Sequence, residues 1–175
     1  SSPDLVFQQG ALAFLKKDYS LAQKLFREAA RRASETTAEN ALFNENLAAL
    51  NANDASGAAA LIKEAAGSSR LRESILFEQA HYAAKRMAPQ AAELLANFIT
   101  LAETPALKTQ ARLDQVEVAL NLNPPDLETV QAILPLLEKE QLAPEQTMQL
   151  ARLNILEAES RQEWPNAIQS CRRAI

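Results

Sequence analysis

Apolar residues along this chain return at steps of three and four, the spacing that puts them on one face of an α-helix. The stretch DYSLAQKLFREAARRA, residues 18–33, carries Ala22, Leu25, Phe26 and Ala29 at i, i+3, i+4 and i+7. Upstream, Ser2-Pro3-Asp4 supplies a hydroxyl cap, a proline suited to the first helical turn and an acid at the positive end of the helix dipole. That start opens the run LVFQQGALAFLKK, which stops near Asp18. Two helices with almost no connector must fold back as an antiparallel hairpin.

The same grammar returns four times. ENALFNENLAALNAN precedes DASGAAALIKEAA, RESILFEQAHYAAKR precedes APQAAELLANFITLAE, KTQARLDQVEVALNLN precedes PPDLETVQAILPLLEKE, and PEQTMQLARLNILEAESRQE precedes WPNAIQSCRRAI. Prolines mark the joints at Pro89, Pro105, Pro124, Pro125, Pro144 and Pro165. The pattern predicts ten helices in five hairpins. The early small residue of each second helix falls at Ala22, Ala58, Ala91, Val130 and Ala167, so the period steps by 36, 33, 39 and 37 residues. A drifting period of that size belongs to helical solenoids.

In residues 3 to 36, Gly10, Tyr19, Ala22, Phe26 and Ala29 stand at the small and large positions of a known repeat, and here the chain resembles the tetratricopeptide repeat (TPR) family. Trp164, Ala167, Cys171 and Ala174 match the second-helix places of that repeat in residues 147 to 175, and Ala58, Ile62 and Ala65 match in the second repeat. The later repeats depart from it: Asn46, Phe98 and Leu137 stand where the family has a small residue, Val130 replaces an alanine, and Pro135 lies within a second helix. The resemblance implies an all-α, right-handed superhelix of about five hairpins in one domain over 1–175. Its approximate repeats are 3–36, 37–70, 71–106, 107–143 and 144–175.

Composition narrows the function. The 175 residues carry a net charge of −4 with both signs interspersed, which argues against nucleic acid as a partner. No apolar run approaches the roughly 20 residues of a membrane span, so direct membrane insertion is not expected. The one cysteine, Cys171, forms no intrachain disulfide, which fits the cytoplasm without excluding a bacterial periplasm. Ser1 and Ser2 read as a processing remnant, which leaves localisation open. One histidine, His81, cannot make a zinc set, and no phosphate loop, nucleophile elbow or His-Glu-x-x-His occurs. The pairs Glu138 with Glu140 and Glu157 with Glu159 are two residues apart and point to different helix faces, as solvated charge. No catalytic residue, cofactor or metal is expected.

What rises above background is on the first helices of the hairpins. In TPR proteins these line the concave groove, and the resemblance maps groove positions to Phe7, Ala11 and Phe14, to Phe43, Leu47 and Leu50, and to Leu76, Ala80 and Ala83. Each triplet forms a single stripe. In the fourth and fifth hairpins the corresponding residues are Gln115, Ala119 and Leu122, then Arg152, Leu156 and Glu159, so the lane turns polar. The expected function is a noncatalytic scaffold that receives a peptide, helix or partner domain. The alternatives are an assembly module of a bacterial cell-envelope complex and a regulatory domain of a larger effector. Because the last second helix reaches Ile175 with no polar cap, either a longer array or self-association at that end is expected.

The spacing has an energetic consequence. Phe26→Ala should cost about 3 to 5 kcal/mol in urea unfolding by opening a cavity, and a bulky residue at Ala22 about 1 to 3 kcal/mol by overpacking. A Phe26→Ala loss under about 1 kcal/mol would place that ring outside the hairpin core.

Overall fold

The structure is a computed structural model that describes residues 2–162. Among these residues it is all-helical: α1 (Pro3–Leu15), α2 (Tyr19–Arg32), α3 (Glu35–Asn51), α4 (Ala55–Glu64), α5 (Ser69–Lys85), α6 (Ala91–Leu101), α7 (Pro105–Leu120), α8 (Leu127–Leu137) and α9 (Pro144–Ser160), with a 3-10 turn at Ala65–Gly67. The expected tenth helix, with Trp164, Ala167, Cys171 and Ala174, lies outside the described residues. The chain forms two compact units, Ser1–Gln79 and a second from Ala80 onward, with the division inside α5. In the first, α2 packs on both α1 and α3, and α3 packs on α4; in the second, α7 packs on α6, α8 and α9.

The hairpin joints share one backbone solution. After α1, Lys17 takes a φ of 62°, its N–H bonds to Phe14 O at 2.9 Å, and the Asp18 N–H reaches Ala13 O at 2.9 Å. After α3 the same bonds run from Asn53 to Leu50 and from Asp54 to Ala49; after α5 they run from Met87 to Ala84 and from Ala88 to Ala83. Asn53 and Met87 are also left-handed, at 57° and 49°. This is the Schellman closure, which satisfies carbonyls a helix end leaves open. The left-handed residues at 17, 53 and 87 stand 36 and 34 residues apart, and Gln162 ends α9 in the same conformation. The joint between α7 and α8 differs: it contains a cis Asn123-Pro124 bond, and Asp126 N–H bonds to Ala119 O. Asp18, Asp54 and Asp126 then cap α2, α4 and α8 by accepting the N–H groups of Leu21, Gly57 and Thr129.

The second helices bury the row that the sequence marks. Ala22, Phe26 and Ala29 in α2, Ala91, Leu95 and Phe98 in α6, and Val130, Leu134 and Leu137 in α8 are all buried at the same offsets of zero, four and seven. In α4, Ala58 is buried and Ala65 just after it is too, but Leu61 takes the deep place and Ile62 is half-buried. Gly10 of α1 explains the first repeat's close fit, since a Cβ there would stand 2.9 Å from Phe26 Cδ1. The Phe26 ring also packs at 5.3 Å on Phe7. Where α1 has Gly10, α3 has Asn46, which is fully buried and accepts a hydrogen bond from Gln79 Nε2 at 2.9 Å.

A left-handed φ costs an L-residue with a Cβ roughly 1 kcal/mol, and asparagine less than most. Met87 bears that cost with its side chain 46% exposed. Met87→Gly should therefore stabilise the chain by up to about 1 kcal/mol, read as a rise in the urea midpoint, whereas Asn53→Gly should be nearly neutral. A loss of stability in Met87→Gly would show that its side chain anchors the joint.

Candidate functional site

Helix α3 is held on two sides, and the residues that hold it limit what its remaining surface can offer. Toward α2 it presents Ala41, Glu45 and Ala48. Ala41 clusters with Ala29, and Ala48 with Ala22 and Phe26. Between them Arg27 Nε donates to Glu45 Oε1 at 2.8 Å, while Nη1 reaches Glu64 of α4 at 2.5 Å. Glu45 is buried, and its Oε2 and the Nδ2 of neighbouring Asn46 have no hydrogen-bond partner among the described residues. Burial pushes the Glu45 carboxyl above the usual carboxylate range, with Arg27 pulling against it. Burial acts on Arg27 in the opposite sense and would lower it, but its bonds to Glu64 and Glu45 carry it above its ordinary value. The two partners thus gain unequally. The half-buried guanidinium is well served, and the deeper carboxylate is not fully repaid.

The nine expected groove positions have distinct environments. Phe7 and Phe14 are half-buried; Phe7 lies against Phe26, and Phe14 meets Tyr19 edge-on at 5.3 Å. Ala11 is half-buried in the same cluster. Phe43 is half-buried against Leu61, Ala65, Leu71 and Ile75. Leu47, Leu50 and Leu76 are half-buried, whereas Ala80 and Ala83 are buried. Seven of the nine are therefore partly open to solvent, and four of these, Phe7, Ala11, Phe14 and Phe43, pack against a buried cluster.

In the second unit the sequence pattern understated the polar chemistry. Asp114 of α7 is 1% exposed and receives His81 Nδ1 at 2.5 Å, Gln110 Nε2 at 3.2 Å and, more loosely, Lys85 Nζ at 3.6 Å. One turn on, Glu117 pairs with Lys85 at 3.2 Å and with Arg152 of α9, and accepts from Gln149. Gln110 also bonds Gln149 at 3.0 Å and accepts from Gln146. A polar row at 110, 114 and 117 thus joins α5, α7 and α9. Of the lane positions expected in these hairpins, Gln115 and Leu156 are half-buried, Ala119 is buried, and Leu122, Arg152 and Glu159 are exposed. The signal that could have found the true row is a charge recurring about one repeat away, as from His81 to Asp114 and from Lys85 to Glu117 to Arg152. Glu140, expected as a solvated charge, is half-buried and takes bonds from Thr109 and Arg112; Glu157 is half-buried and pairs with Arg161 at 2.5 Å.

Among the described residues no three His, Cys, Asp or Glu side chains gather as metal ligands, and no helix is long and apolar enough to cross a membrane. No family model, curated protein or solved structure matches the chain.

Because Glu45 is raised, the folded state holds its proton more tightly than the unfolded one, so its share of stability grows as pH falls from neutral toward its ordinary 4.5. Glu45→Gln removes that slope and should change stability at pH 7 by less than about 1 kcal/mol. Arg27→Met strands the buried carboxylate and should cost on the order of 3 kcal/mol at pH 7, less in acid. Equal losses for the two variants in urea unfolding would refute this unequal division.

Proposed function

We propose that the chain is a noncatalytic protein-interaction scaffold of the TPR type, its hairpins stacked in a right-handed superhelix. A peptide, helix or partner domain docks on the first-helix face that carries Phe7, Ala11, Phe14, Phe43, Leu47, Leu50 and Leu76. The observation that carries this reading is the partial exposure of those seven positions, four of which, Phe7, Ala11, Phe14 and Phe43, also pack against a buried cluster. Rigid apolar anchors of that kind bind an apolar segment with little loss of their own side-chain freedom. The recurring left-handed joint at Lys17, Asn53 and Met87 supports the repeat character.

A photocrosslinking residue placed at Leu47 should capture a discrete protein partner in cells. The same residue at Lys24, an exposed position of α2, serves as the control. Adducts at Leu47 should disappear when Leu50→Asp is added while the helical spectrum is kept. Equal capture at both positions, or none at Leu47, would refute docking on this face.

A further inference from the structure

The outward side of α1 carries an apolar row that the fold of the first unit leaves uncovered. Leu5, Leu12 and Leu15 are 46%, 56% and 78% exposed, and exposed Gln8 completes the row. The steps from 5 to 8, 12 and 15 are three, four and three residues, the narrow stripe of a two-helix seam rather than the wider face a helix buries in a globular core.

The repeat shows what such a side accepts. Moving Leu5 and Leu12 forward by the 36 residues that separate Ala22 from Ala58 gives Ala41 and Ala48. Both are fully buried, and α2 covers them: Ala41 clusters with Ala29, and Ala48 with Ala22 and Phe26. In this chain that side of a first helix is a seat for another helix. On α3 alanines let α2 approach closely. On α1 the same places carry leucines, a size match for another leucine row.

We propose that the occupant is a second copy of the same chain, its α1 laid antiparallel on the first across Leu5, Leu12 and Leu15. In that arrangement Leu5 of each copy meets Leu15 of the other, and Gln8 meets Leu12. The end charges agree with it. Asp4 lies at the start of α1, and Lys16 and Lys17 lie at its end, so antiparallel copies bring an acidic end beside a basic one and oppose their helix dipoles. A parallel pair would put like ends together. The surface is self-complementary, as a twofold dimer requires. One helix face is small for an interface, so the dimer dissociates on dilution.

Sedimentation velocity from micromolar to near-millimolar chain should show a reversible monomer–dimer equilibrium. Each dimer buries Leu12 twice, so Leu12→Glu should raise the dissociation constant more than about a hundredfold, with the helical spectrum unchanged because the position is exposed. Orientation is read by disulfide trapping in a Cys171→Ser background. Leu5→Cys chains mixed with Leu15→Cys chains should crosslink, and neither alone, because like positions lie about 15 Å apart along antiparallel helices. A chain that stays monomeric throughout, a dimer that ignores Leu12→Glu, or a Leu5→Cys chain that crosslinks with itself would each overturn the proposal.

Discussion

When Lys17 turns into the left-handed region, α1 ends with two of its free carbonyls bonded, and the next residue, Asp18, already caps α2. The reversal takes three residues and leaves no slack. The two helices must lie against each other along their whole length, so their facing side chains have to match in size. Gly10 exists for the Phe26 ring, and the ring in turn supports Phe7. Asn53 and Asp54 repeat the device one hairpin later, and at Met87 the closure persists without an aspartate cap, α6 starting four residues on.

The row at offsets zero, four and seven is the inner face of α2, α6 and α8, while in and just after α4 the buried residues are Ala58, Leu61 and Ala65, at zero, three and seven. It reads Ala, Phe, Ala in α2, Ala, Leu, Phe in α6 and Val, Leu, Leu in α8, and every member is buried. The position is conserved in geometry while its volume changes. In α2 the largest member, Phe26, is met by the missing side chain of Gly10, as interiors tolerate redistribution of volume better than its excess. In α8 the row joins Leu113, Val116, Leu120, Leu150 and Leu153 in one cluster shared by α7, α8 and α9. Pro135 is exposed and sits beside this row, inside the helix, without removing Leu134 or Leu137 from the core.

The helices and the buried row were legible because both depend on periodicity, which a single chain displays in full. Ala22, Ala58, Ala91 and Val130, chosen from spacing alone, are all buried. The left-handed joints were not legible: lysine, asparagine and methionine occupy a place that glycine would have announced. The environments of the expected groove residues were legible only in part. A stripe at i, i+4 and i+7 reports which residues share a face, and it cannot say that Phe7 leans on Phe26 while Ala80 is buried outright. Glu45 and Asp114 escaped for a related reason. A charge reads as solvated until its partner is known, and each partner lies on another helix, Arg27 eighteen residues before Glu45 and His81 thirty-three before Asp114.

Those two carboxylates also do what the apolar rows cannot. A leucine row with steps of three and four matches itself after a slide of one helical turn, so packing alone discriminates weakly between registers one turn apart. Donor and acceptor pairs do not repeat that way. Sliding α7 by one turn would carry Asp114 away from His81 and Glu117 away from Arg152, leaving a buried carboxylate without its hydrogen bonds, at a cost of several kcal/mol. Replacing such a network by well-packed apolar side chains need not weaken the fold, because burying charge is expensive even when it is paired. What the network supplies is a penalty on the wrong alignment. It sits on α5, α7 and α9 in the second unit, where it ties the register of α7 to the helices on either side of it.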